Sequence, residues 1–364
     1  MRADSLTGLL LFTERRVFML KEKLLKRLFI LIVLIGFCTL SGGFASAEQG
    51  IQWKAHAMWP PANSLYKAFE KFCNNVGVMT KGGLQIKPYP AGAIVPNTEA
   101  LDALKYDTIQ AMYMFAAIWA GREPAFALLG DLPGAWSEAW EVDSFFYEGG
   151  GLDLLNELYS KYGVYCVGVS FYGRNESLIS TKPFGKLTDL KGLKLRAPEG
   201  MASRLFAKLG ASVVVLPASE LYTSMDKGLV DGGDLSTLSL NKDFGIYPVA
   251  KYTVYPGWHS LPTLDFVVNA KAWEKLPNDI KQIVRTAWRE FALDSAEITN
   301  LQDVKVLPQI KKMGVTVQQW SEEDLVKVRK LARECWEEEA QKSPMAKKVY
   351  EAYMSWLKIL GRVE

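Results

Sequence analysis

The sequence predicts an α/β protein in two domains, with a chain that leaves the first, builds the second and returns. Three observations predict this. Strand, helix and strand signals alternate in two separate stretches, the pattern of α/β units with a largely parallel sheet. Between them "VYCVGVSFYG" is an apolar, β-branched run long enough to cross from one domain into the other. After the second unit the chain comes back through a strand, a Pro-Gly loop and another strand, and then turns mostly helical.

The elements follow in order. In "IQWKAHA", Trp53, Ala55 and Ala57 alternate with polar neighbours, as a strand does. "WPPANS" is a turn whose Asn63 or Ser64 caps the next helix, where Leu65, Phe69 and Phe72 share a face. "GGLQIKPYPAG" is a second strand between turn residues, and "TEALDALKYDTIQAMYMF" a short helix and a buried strand. "PGAWSEAWEVDSFFYEGGGLDLLNELYSKYG" is helical with a glycine break. Beyond the crossing run, "RNESLISTKPFGKLTDLKGLKLRAP" holds two short strands around a Pro-Phe-Gly loop. Helix, strand, capped helix and a strand ending at Gly232-Gly233 complete the second unit. After the return, one long amphipathic stretch begins at "NDIKQIV", "VTVQQW" is a short strand, and Ser321 with Asp324 caps a last clear helix. At least two crossings form a double hinge of the kind that closes on a ligand, as in periplasmic binding proteins.

The N-terminus reads as a leader. "KEKLLKR", then "LFILIVLIGFCTL", then Ala45-Ser46-Ala47 make a basic, an apolar and a small-x-small region. Cleavage is expected after Ala47, with Met19 as the true start. Arg15-Arg16 lies too far from the apolar run for a twin-arginine signal, and Phe37 before Cys38 is too large for lipidation. The apolar run is short for a membrane helix. The domains are then 48–173 with 260–364, and 174–259.

Residues 1–47 hold seven of the 43 Lys/Arg and three of the 40 Asp/Glu. The remaining 36 basic and 37 acidic side chains nearly balance, which excludes the basic excess of a nucleic-acid binder. Cys73, Cys166 and Cys335 are an odd number and read as buried thiols, with one long-range bridge as the alternative. With only His56 and His259, a multi-histidine metal site is excluded.

Four segments in this order, "WPPANSLYKAFEKF", "STKPFGKLTDLKGLKLRAP", "LGASVVVLPASELYTSMDKGLVDG" and "YPGWHSLPTLDFVVNAKAWEKLP", resemble the substrate-binding proteins of tripartite ATP-independent periplasmic (TRAP) transporters, dicarboxylate-binding type. The resemblance spans about residues 50 to 345. It implies the two-domain periplasmic binding protein fold, with crossing hinge strands and a long C-terminal helix under both domains. It implies no catalysis: the protein captures a small organic anion in the periplasm and delivers it to membrane permease subunits.

The resemblance also implies site residues. The arginine of "LKGLKLR", here Arg196, holds the ligand carboxylate. "FYGRNES" places Arg174 on the crossing strand, where some relatives have glutamine and bind 2-oxo or 2-hydroxy acids through a metal ion. "VDGGDL" looks like that metal-assisted branch and makes Asp234 the candidate metal ligand. Arg174 in place of glutamine supplies positive charge itself, so no cofactor is expected beyond a calcium or sodium ion bridging the ligand.

Each residue has a plainer reading. An arginine at a strand end is usually a surface ion-pair residue, although its guanidinium can grip a carboxylate with two parallel hydrogen bonds. Arg174 would otherwise pair with Glu176 or Asp234. Trp258 would pack the hinge, and His259 would satisfy a backbone carbonyl. Trp59 and Asn63 sit in the first strand-to-helix loop, where open α/β sheets present ligands. Tyr222 packs or leans into the cleft. Two other functions remain open on the residues alone: an exported hydrolase using His259, which lacks a Gly-x-Ser-x-Gly elbow, and a periplasmic sensor subunit.

Overall fold

The computed structural model describes residues 50–173, 178–258 and 261–363, with Glu22 alone before them. The expected leader therefore lies outside the described residues. Among those described, no helix is long and apolar enough to cross a membrane.

The first lobe begins with β1 (Ile51–Ala57), α1 (Ser64–Met79), β2 (Leu84–Tyr89), α2 (Ala100–Lys105) and β3 (Ala111–Met114). Asn63 caps α1 by accepting from the Leu65 backbone N–H at 2.8 Å, and Leu65, Phe69, Phe72 and Val76 form the buried face. Three short helices, α3 (Ala125–Gly130), α4 (Ala139–Tyr147) and α5 (Gly151–Ser160), lead to β4 (Val164–Phe171). Gly150, at φ 83°, makes the break between α4 and α5 in a left-handed conformation that glycine adopts without cost.

The second lobe holds β5 (Ile179–Ser180), β6 (Lys194–Ala197), α6 (Met201–Lys208), β7 (Ser212–Val215), α7 (Leu221–Asp226), β8 (Gly232–Gly233), α8 (Leu238–Asp243) and β9 (Tyr252–Val254). The chain re-enters the first lobe as β10 (Thr263–Asn269), followed by α9 (Ala270–Glu274) and the 35-residue α10 (Asn278–Lys312). It finishes with β11 (Thr316–Gln318), α11 (Glu322–Ala340) and α12 (Pro344–Ile359).

Two sheets result, in the orders β2-β1-β3-β10-β4 and β11-β9-β5-β8-β6-β7. The first is less parallel than the alternation of elements suggests. β1 runs parallel to β2 and β3, but β10 is antiparallel to both β3 and β4. The reason is the return: β10 comes back from the second lobe against the direction in which β4 left. A second difference concerns the domain division. Residues 316–318, grouped with the first domain in the sequence, pair with β9 in the second sheet.

The long helix belongs to both cores. Its first half sends Trp288 and Phe291 into an aromatic cluster with Phe69, Phe72, Tyr113 and Phe266. Gly168 makes room for this on β4, because a Cβ there would lie 2.6 Å from Trp288 Cδ1. The second half buries Val306 and Ile310 with Ile179, Leu221 and Tyr247 of the second lobe. Asp303, fully buried on the helix, accepts from the Ser239 backbone N–H at 2.8 Å and its hydroxyl at 2.6 Å. A carboxylate from α10 thus sits on the first turn of α8, where free N–H groups favour negative charge.

Asp265 lies at the centre of the first sheet with no exposure, accepting from Tyr159 Oη at 2.7 Å. Burial raises its pKa from 3.8 to about 7. Between those values the folded chain holds a proton that the unfolded chain has released. The group's contribution to stability is therefore full below about pH 4 and is lost as pH rises toward 7. Urea denaturation at a series of pH values should show stability falling across that window, and Asp265→Asn should flatten the fall.

Candidate functional site

The site residues gather at the carboxyl ends of strands. In the second lobe, β6 carries Arg196 one residue before its end, and Asp234 follows β8 directly. β6 and β8 are parallel neighbours, with Arg196 opposite Gly233. This pairing needs glycine, because a Cβ on Gly233 would fall 2.7 Å from both the Arg196 Cβ and its carbonyl oxygen. Asp234 N–H then donates to the Arg196 carbonyl at 3.1 Å.

Arg196 is only 5% exposed. Its Nε donates to the Leu216 carbonyl at 2.9 Å and its Nη1 to the Asp234 carbonyl at 2.5 Å. Two backbone carbonyls therefore set the plane of the guanidinium, and neither bond uses Nη2. Burial pushes the arginine pKa down, and the Asp234 charge pushes it back up. The group stays a cation, since even a lowered arginine pKa lies far above neutrality.

In the first lobe, β4 runs parallel to β1 and β3 because both it and β3 are antiparallel to β10. Their carboxyl ends share one edge. There Trp59 Nε1 donates to Tyr172 Oη at 3.0 Å, while the Trp59 and Tyr113 ring centroids lie 4.7 Å apart. Tyr172 N–H donates to the Pro262 carbonyl at 3.1 Å, joining the outgoing and returning segments at the hinge. Tyr172 accepts the indole proton and keeps its own hydroxyl proton to donate. It had no separate reading in the sequence, although its place two residues before Arg174 was a usable signal.

The structure thus joins Arg196 to Asp234 and, separately, Trp59 to Tyr172. Asn63 spends its side-chain oxygen on the cap of α1. Trp258 is buried, stacked on Trp320 at 5.1 Å and tilted against Phe206 at 5.8 Å, so its ring packs beside the hinge. Tyr222 is 39% exposed on α7. Arg174 and His259 lie outside the described residues. His56 is buried in β1, with Nε2 2.9 Å from Asn97 Oδ1. The three later cysteines are free and buried.

The family model described as "bacterial extracellular solute-binding protein, family 7" matches residues 55–343. The chain belongs to this family. Among similar proteins and structures, a monocarboxylate 2-oxoacid-binding periplasmic protein of Nostoc sp. is 28% identical, covering 85% of this chain and 84% of that one. A TRAP periplasmic solute-binding protein of Rhodobacter sphaeroides, solved in an apo open state, is 35% identical with a TM-score of 0.74, covering 86% and 99% of the two chains. One from Colwellia psychrerythraea, solved with bound calcium and pyruvate, is 26% identical with a TM-score of 0.75, covering 86% and 95%. This is a TRAP-type substrate-binding protein with the two-lobed fold expected from its sequence.

The glycine constraint can be tested directly. Gly233→Ala should displace Arg196 and cost about 1–3 kcal/mol of stability, as overpacking does. Urea denaturation would measure this, and a variant as stable as the parent would show that β6 shifts freely.

Proposed function

We propose that this protein is a periplasmic receptor that closes its two lobes on a small organic acid anion and hands it to TRAP permease subunits. The observation that carries the reading is Arg196: a buried guanidinium held by carbonyls at the carboxyl end of a strand. Open α/β sheets take ligands at that edge. A preset cation there can bind a carboxylate through charge-assisted hydrogen bonds.

We assign the opposite wall to Trp59 and Tyr172, with the Tyr172 hydroxyl as a donor. We assign Arg174 as a second cation for the anion, and His259 as a further donor. The division at 173/174 and 259/260 describes the moving bodies, with β11 added to the second. The leader ending at Ala47 directs export. The ligand class we favour is a 2-oxo monocarboxylate, supported by the Nostoc relative and by the pyruvate in the Colwellia structure.

A bridging calcium ion would need about six to eight oxygen ligands. Asp234 offers a carboxylate beside Arg196, but among the described residues no three His, Cys, Asp or Glu groups gather as a metal cluster. Asp234 would then supply one ligand of such an ion, with backbone carbonyls, waters and the oxygens of the captured acid supplying others, while the guanidinium holds the carboxylate beside it.

Calorimetric titration with pyruvate tests the reading. Arg196→Ala should weaken binding about 10²-fold or more, because the ligand charge loses its buried partner. Circular dichroism should show the fold retained. Titration after EDTA treatment reads the ion: weaker binding would place a cation beside Arg196, and unchanged affinity would leave capture to the guanidinium alone. Equal affinity in the Arg196→Ala variant would overturn the role of Arg196.

A further inference from the structure

A second cationic site lies away from the cleft. Arg329, Arg333 and Trp336 fall at i, i+4 and i+7 on α11 and so share one helix face. They line a cavity of about 170 Å³, with Ser137 and Arg362 also on its walls. A neighbouring cavity of about 240 Å³ shares Gly134, Ser137 and Arg329 and reaches Pro256 and Trp258 at the hinge. Gly134 N–H donates to the Trp258 carbonyl at 3.0 Å, so the two are joined through the backbone.

The charges around the first cavity are unequal. Arg329 Nη1 lies 3.0 Å from the Glu322 carboxylate, which is 74% exposed and faces water. Arg362 is tied through Nε, at 2.8 Å, to Glu141. Glu141 is itself buried and also accepts from the Ser137 and Glu138 backbone N–H groups. Arg333 forms no ion pair among the described residues. It stands one turn from Arg329, which repels it, and one turn from Glu337, whose carboxylate accepts from Tyr350 Oη at 3.1 Å. Trp336 is buried, and its Nε1–H has no hydrogen-bond partner among the described residues. An unmet buried donor is costly. Excess positive charge and an open cavity lined by Arg333 coincide.

We propose that this cavity is a second binding site, specific for a small oxyanion, a carboxylate or a phosphate. Arg333 is its principal charge, with Arg329 and Arg362 as flanking donors. A space of this size holds several waters, and an oxyanion of a few heavy atoms replaces them. The site draws nothing from β6 or β8, so it is separate from the cleft of Arg196.

The test uses the full chain in the Arg196→Ala background, where the cleft is weakened about 10²-fold or more, with and without Arg333→Gln. Melting is followed while sodium phosphate, or in a second arm sodium acetate, is added at constant ionic strength set with NaCl. Binding raises the melting temperature by mass action. Arg196→Ala alone should show a saturable rise with at least one of the two anions, and the arm that responds identifies the oxyanion. Adding Arg333→Gln should raise the half-saturating concentration about tenfold or more, a loss near 1.4 kcal/mol. No saturable rise in either arm, or the same curve with and without Arg333, overturns the proposal. Neither result bears on pyruvate capture by Arg196, which is measured separately.

Discussion

The antiparallel pairing of β4 with β10 is the constraint on which the rest depends. One strand carries the chain out of the first lobe and the other brings it back, and they lie side by side over seven registered pairs from Thr263 to Asn269. Because they run in opposite directions, the exit and the re-entry fall on the same edge of the sheet. That edge is also where β1 and β3 end. The outgoing and returning segments and the Trp59–Tyr172 pair are therefore placed together by topology. The tight fit of Trp288 against Gly168 then locks the long helix to the outgoing strand.

The second lobe solves a different problem with the same economy of space. Its sheet is built from strands of two to four residues, too short to hold together by ladder bonds alone. Gly232 and Gly233 let β8 press against its neighbours: a Cβ at Gly232 would sit 2.1 Å from the Ile179 carbonyl oxygen. The closeness that makes the sheet possible is also what brings the Asp234 carbonyl onto the Arg196 guanidinium. Fold and site share one cause there.

Much of this was legible in the residues. Amphipathic spacing located α1 and α10, the Ser321 cap marked α11, and the all-apolar run marked β4. The strand-end position of Arg196 was readable too. Less legible were features that depend on distant partners. The reversed direction of β10 follows from where the chain returns, and no local pattern records it. The pairing of β11 with β9 joins residues more than sixty apart. Asn63 was readable as a cap, and Trp258 as packing, but only the partners Leu65 and Trp320 decide between those uses and ligand contact. Tyr172 went unremarked because its significance comes from Trp59, which lies 113 residues earlier.

Asp303 has a consequence for the order in which the molecule is made. The first turn of α8 receives its carboxylate from a residue 64 positions later, and β11 closes the second sheet later still. A chain emerging from its N-terminus thus presents a second lobe that is unfinished for most of its synthesis. Its short strands and α8 wait for the far half of a helix that has itself begun in the first lobe. The lobe that carries Arg196 is completed by chain that started in the other, and the first lobe closes later still, when Tyr353 of α12 reaches Trp136 and Phe145.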